Sequence, residues 1–106
     1  MTDRELLEAA AKAAGYVLMP HTQDDRKFCV GGREWNPLTN SGDALELAVK
    51  LRLDIIFEKL HTVSVWCPPL DNWVTERCDD GMGSDIAEKT CRAIVRAAAE
   101  IGRNKV

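Results

Sequence analysis

The sequence predicts an α+β fold in a single domain spanning residues 1–106. Helices pack on an antiparallel sheet in the order α-β-β-α-β-β-β-α, as an α+β sandwich. Three observations predict it. Alanine-rich amphipathic runs open and close the chain. Three β-rich runs follow one another between residues 53 and 78, separated only by short polar or proline turns. One further helix divides these from an earlier strand pair. Strands grouped apart from helices in this way mark the α+β class, where strict alternation would mark a parallel sheet. A chain of 106 residues, 45% of them hydrophobic, has the size of one domain. It can bury roughly two-thirds of its unfolded surface and so form a core without disulfide or metal. No repeat, low-complexity tract or linker divides it.

The first helix is predicted from about residue 3 to 14. Thr2 and Glu5 form a T-x-x-E capping box, in which each side chain can satisfy a backbone N–H of the first turn. Leu6, Leu7, Ala10, Ala11, Ala13 and Ala14 make its apolar stripe, and Gly15 stands where a C-terminal cap belongs. Tyr16–Met19 reads as a short strand, interrupted by Pro20 and the polar run 21–27, and Phe28–Val30 resumes the pattern before Gly31 and Gly32. Trp35-Asn36-Pro37-Leu38 is an extended or turn segment, because a residue before proline avoids the helical region.

Asn40 or Ser41 caps the second helix, with Asp43 in its first turn, where negative charge suits the helix dipole. Ala44, Leu45, Leu47, Ala48, Val49 and Leu51 are apolar over more than one face, which implies a helix covered on more than one side. Leu53–Glu58, Thr62–Cys67 and Trp73–Cys78 then form an antiparallel meander. In the middle run Val63, Val65 and Cys67 alternate with Thr62, Ser64 and Trp66, the period of a half-buried strand. Ser84 caps a last helix, with Asp85 in its first turn. Cys91, Ile94, Val95, Ala98 and Ile101 fall on one face, and Gly102 ends it.

Lysine and arginine total 14 against 17 aspartate and glutamate, a formal charge of −3. Nucleic-acid binders are usually basic and mimics of nucleic acid far more acidic, so no direct contact with nucleic acid is expected. No apolar run approaches the ~18 residues that cross a bilayer, and the N-terminus has acids where a signal peptide would be apolar. A cytoplasmic protein without membrane contact is expected. Cys29, Cys67, Cys78 and Cys91 are even in number but show no C-x-x-C and no histidine at zinc-like spacing. They read as four free thiols, mostly buried. Neither cofactor nor metal is expected.

The blocks RELLEAAAKAAGY, GGREWNPLTNSGDALELAVKL and RAIVRAAAEIG, in that order, resemble small phage and prophage proteins grouped as the phage alpha-beta-alpha sandwich domain. The central block is the most specific, with Gly-Gly-Arg-x-Trp-Asn-Pro-Leu followed by Gly-Asp-Ala-Leu. The resemblance spans both ends and the middle of the chain and leaves residues 54–83 unmatched. It implies a three-layer sandwich and a phage origin. No catalytic residue is carried over with it.

The candidate sites divide between docking surfaces and core. Trp35 reads as core, with Asn36-Pro37 setting the turn into the second helix, in preference to an exposed anchor. Trp66 falls on the strand face opposite Val63, Val65 and Cys67. In a sheet covered on one face only, Trp66 and Trp73 form a partly exposed apolar patch rimmed by Asp71 and Glu76, a natural docking surface. In a sheet covered on both faces, both tryptophans are core. The acidic stretch 76–88 sets Glu76, Asp79, Asp80, Asp85 and Glu88 against Arg77. The tail sets five bases, from Lys89 to Lys105, against Glu100. An acidic loop of this kind steers association with a basic surface or is simply solvated. Asp79-Asp80-Gly81 lacks the EF-hand spacing. Gly81–Ser84 resembles a phosphate cradle but lacks the following lysine. No set of cysteine and histidine residues makes a nucleophilic site, and the thiols read as small core residues.

The expectation is therefore a non-catalytic, phage-encoded accessory protein, monomer or homodimer, that binds a host protein. An antiviral defence component such as a CRISPR effector complex fits the setting. The binding residues are Trp66, Asp71, Trp73, Glu76, Asp79, Asp80 and Asp85. The alternative is a small-ligand protein that sequesters a nucleotide signal near Trp35 and Gly81–Ser84.

Overall fold

Each of the first two helices starts and stops where neighbouring residues supply the missing hydrogen-bond partners. The computed structural model describes residues 2–20, 28–58, 61–78 and 85–104. Helix α1 spans Asp3–Ala14, with Thr2 accepting from the Glu5 N–H at 3.2 Å and Gly15 closing it in the left-handed region at φ 75°. The Thr2 hydroxyl in turn donates to the Glu5 carboxylate, at 3.2 Å, so one hydroxyl both accepts and donates at the cap. Helix α2 spans Ser41–Leu51. Asn40 is its cap, accepting from the Asp43 N–H at 3.0 Å, and Arg52 ends it at φ 57°.

A small antiparallel sheet joins β1 (Met19–Pro20), β2 (Phe28–Val30) and β3 (Arg33–Trp35) in that spatial order. The strand expected at Tyr16–Met19 begins only at Met19. Trp35, expected in a turn segment, is instead the last residue of β3, paired with Phe28. Gly31 and Gly32, at φ 63° and 85°, make the connection. Two left-handed residues in a two-residue loop match the twist of a hairpin, which is why glycines stand there.

The larger sheet joins β4 (Asp54–Glu58), β5 (Thr62–Cys67) and β6 (Asn72–Arg77) as the expected meander. Its register sets Ile55 against Val65 and Trp66 against Trp73. Pro68–Leu70 forms a single 3-10 turn between β5 and β6, closed by Asp71 at φ 52°. The protein is thus a compact α+β domain in the expected order, with β3 added to the first strand group.

Helix α3 (Ile86–Arg103) organises the core. Val63, Val65 and Cys67 are fully buried beneath it, and its own Ala93, Val95, Ala97 and Ala98 are fully buried too. Helices α1 and α2 flank α3 on the same side of the larger sheet. The helical layer that a three-layer sandwich needs on the far face does not occur among the described residues.

The small residues of α1 and α3 let the two backbones approach closely. At Gly102 an added Cβ would lie 1.9 Å from the Ala9 carbonyl oxygen. Gly102 was expected to end the helix, but α3 continues to Arg103. Its role is to admit the α1 backbone. Ser84, the expected cap of α3, lies outside the described residues, and Asp85 at the cap position makes no capping hydrogen bond.

The expectation of a helix covered on more than one side fails for α2. Leu45 and Val49 are 60% and 62% exposed, one turn apart on its outer surface.

Candidate functional site

Alternation along β5 sends Thr62, Ser64 and Trp66 to the face opposite α3. The register then assigns that face its neighbours: Asp54, Ile56 and Glu58 from β4, and Trp73, Thr75 and Arg77 from β6. No described element lies over it. Of the two arrangements open for the tryptophans, the described residues therefore form the sheet covered on one face. Trp66 and Trp73 are cross-strand partners with ring centroids 5.0 Å apart and planes inclined at 50°. Trp66 is half-buried and Trp73 is 47% exposed. Ser64 and Thr75 hydroxyls lie 3.0 Å apart beside the pair, and the Ser64 hydroxyl donates to Glu58 at 3.4 Å.

The acids predicted around this pair separate. Asp71 is exposed in the turn that leads into β6. Glu76 lies on the other face, opposite Val63, where it forms an ion pair with Arg96. The acid that the register sets beside Trp66 is Asp54, its partner on β4. Asp79 and Asp80 lie outside the described residues, as does the Gly81–Ser84 cradle. Asp85 is half-buried, with Oδ1 enclosed and without a hydrogen-bond partner among the described residues. It stands apart from the tryptophan pair at the start of α3.

The basic side of α3 is drawn into internal pairs. Arg92 reaches Asp3 at 3.4 Å, Arg96 pairs with Glu76 and donates to the Thr75 carbonyl at 3.3 Å, and Arg103 reaches Glu100 at 3.1 Å. These arginines and Trp73 line a groove of about 570 Å³ along the edge of β6.

Trp35 is core, 1% exposed, with the Tyr16 ring edge-on at 5.8 Å. The distinctive central block around it builds a scaffold. Buried Asp43 accepts from Arg33 at 2.9 Å and from the Asn36 N–H at 3.0 Å, while Asn36 accepts from the Leu38 N–H at 3.1 Å. The Asp43 hydrogen bond and charge, helped by Glu46, hold the Arg33 guanidinium even more firmly protonated than usual. Arg33, Asn36, Asn40 and Asp43 thus fix the entry to α2.

The four cysteines are free, with Cys67, Cys78 and Cys91 buried and Cys29 half-buried. Burial pushes the Cys67 thiol up, and the Glu100 charge adds to the shift, so this sulfur stays a protonated core atom. The His61 ring lies 3.0 Å from the neighbouring Thr62 hydroxyl, and the His61 carbonyl accepts from the Cys78 N–H at 2.7 Å. No group of three histidine, cysteine or acidic side chains among the described residues could hold a metal ion. No described helix is long and apolar enough to cross a membrane. No protein-family model, curated protein or solved structure matches this chain.

Proposed function

We propose that this chain acts by binding another protein through the open face of the β4–β5–β6 sheet, without chemistry of its own. The observation that carries the reading is the Trp66–Trp73 pair, 5.0 Å apart on a face with no described element over it. Two tryptophans offer a large apolar area at little cost in side-chain entropy and are enriched where binding energy concentrates. Asp54 beside Trp66 and exposed Asp71 in the turn before β6 suit a partner with basic residues around an apolar centre, and charge of this kind mainly raises the association rate.

The phage resemblance of the central block supplies the setting: a host protein in the bacterial cytoplasm, such as a CRISPR effector complex or another antiviral defence component. A tagged pull-down from native lysate, repeated with Trp66→Ala and Trp73→Ala, tests this. A stoichiometric partner lost by both variants supports it. A partner retained by both, or inhibition at strongly sub-stoichiometric ratios, overturns it. Charge reversal of Asp79 and Asp80 is expected to slow association.

A second reading is favoured by the groove along β6. Trp73 offers a ring for base stacking there, and Arg92, Arg96 and Arg103 offer guanidinium groups for phosphate. This relocates the nucleotide-sequestering alternative, since buried Trp35 is closed to a ligand. Calorimetric titration with mono- and dinucleotides tests it. Binding weakened by Arg96→Ala favours this reading, and absence of heat with every nucleotide removes it.

A further inference from the structure

We propose that the free edge of β4, with the outer surface of α2, pairs with the same edge of a second copy to form a two-fold homodimer. The two three-stranded sheets would then join into one of six strands. This inference is independent of the partner proposed above.

The two edges of the sheet are finished differently. At β6 the Trp73 N–H donates to the Asn72 side chain at 2.9 Å, and the Thr75 carbonyl accepts from Arg96 at 3.3 Å. Side chains thus occupy that edge's backbone groups. Among the described residues no side chain does this for β4, which is equally an edge strand. Its sequence, Asp54-Ile55-Ile56-Phe57-Glu58, contains no proline or lysine to discourage pairing. Unpaired N–H and C=O groups along a strand call for another strand as occupant.

The surface beside this edge is apolar. Leu45 and Val49 of α2 and Ile56 and Phe57 of β4 are 60%, 62%, 42% and 59% exposed. A groove of about 510 Å³ runs between α2, β4 and α3, walled by Ile55, Phe57, Ile86 and Ile94. The breadth of the apolar surface on α2 reads as a helix covered on more than one side, and within one copy the outer side is bare.

Charge selects a second copy as the strand and sets its register. Arg52 precedes β4 and Glu58 ends it, and both are exposed. An antiparallel copy centred on Ile55 brings Arg52 of each chain to Glu58 of the other and sets Leu53 opposite Phe57. Centring on Ile56 would set Asp54 against Glu58 twice, and like charges directly opposite are unfavourable. A strand paired antiparallel with itself is self-complementary, as a two-fold interface requires.

Sedimentation of the full chain across the micromolar range tests the proposal. A wild-type dimer is expected. Leu45→Lys should shift it to monomer, while Asn72→Ala, at the other edge, leaves it dimeric. Arg52→Glu should weaken association about tenfold, and adding Glu58→Arg to Arg52→Glu should restore it. That rescue separates lost pairing from lost folding. A wild-type chain that stays monomeric throughout the range overturns the proposal and leaves the face to a different protein. A dimer indifferent to Leu45→Lys and Arg52→Glu also overturns it. Neither result bears on capture of a partner by Trp66 and Trp73, which is read separately.

Discussion

Strand β5 carries two surfaces that differ completely, although they come from alternate residues of one six-residue run. Val63, Val65 and Cys67 meet α3 and are fully buried, whereas Thr62, Ser64 and Trp66 face a side over which no described element lies. Thr62 and Ser64, on the central strand, are themselves buried, at 6% and 4% exposure. Exposure on the open face therefore concentrates in the outer strands and at the tryptophan pair. The covered face demands shape, since close-packed interiors register the loss or gain of single methyl groups. The open face demands only strand geometry and compatible neighbours. Function has room on the second face and almost none on the first.

The largest expected effect breaks the covered face from behind. Gly102→Ala places a methyl group against the Ala9 backbone, which cannot yield as a flexible side chain would. Alanine gains ~1 kcal/mol of helix propensity over glycine, but the overlap forces α1 away from α3. We expect a net loss of about 3 kcal/mol, read as a lower urea midpoint. Equal or greater stability would show that the α1–α3 contact yields enough to admit a methyl group at this position.

A paired substitution within β5 sharpens the comparison itself. Val65→Thr keeps the shape but puts a hydroxyl in the dry layer under α3, at a cost of about 1–3 kcal/mol. Ser64→Val, one residue away, exchanges a hydroxyl shared with Thr75 for a better strand former and should stay within about 0.5 kcal/mol of wild type. Chemical denaturation of both variants decides the matter. Similar losses at the two positions would mean that the far face is covered after all.

Alternation made the two faces of β5 legible, and the caps at Thr2, Asn40 and Gly15 made α1 and the start of α2 legible. These signals are local, so tertiary context had little left to decide. Strand β3 escaped because three residues, Arg33-Glu34-Trp35, carry no periodicity of their own. Two adjacent glycines forming a hairpin turn were the available sign. Residues three apart on a strand point to opposite faces, so the separation of Glu76 from Trp73 is readable from alternation, whereas its pairing with Arg96 depends on where α3 packs. Which sheet face would be covered was not readable. That depends on where three helices pack, and amphipathic stripes show only that each must be buried somewhere.

Alkaline pH gives a smaller test of the covered face. Burial and the Glu100 charge raise the Cys67 thiol above its ordinary value. The folded chain thus holds a proton that the unfolded chain releases. The associated stability is fully present below the ordinary thiol pKa and is lost as pH rises through the folded one, with a slope of at most about 1.4 kcal/mol per pH unit. Cys67→Ala should flatten that part of the stability profile. An unchanged slope would assign the loss to another group. The same geometry orders the thiols toward a disulfide reagent, with half-buried Cys29 first and Cys67 among the slow ones.

The smallest expected change in stability belongs to the open face, and there it is the informative result. Trp66 and Trp73 contribute a cross-strand aromatic contact, which is worth roughly 0.2–1 kcal/mol, and Trp73→Ala should cost no more than that. Acrylamide quenching of single-tryptophan chains then ranks the three sites. Trp35, 1% exposed and against Tyr16, should resist quenching, and Trp73, 47% exposed, should be quenched most. Bound partner should protect Trp66 and Trp73 while leaving Trp35 as it was. Protection confined to Trp73 would move the contact from the sheet face to the arginine-lined groove along β6, because Trp73 alone of the three lines both. A side chain whose removal hardly disturbs folding, yet whose environment changes on binding, is held on the surface for recognition.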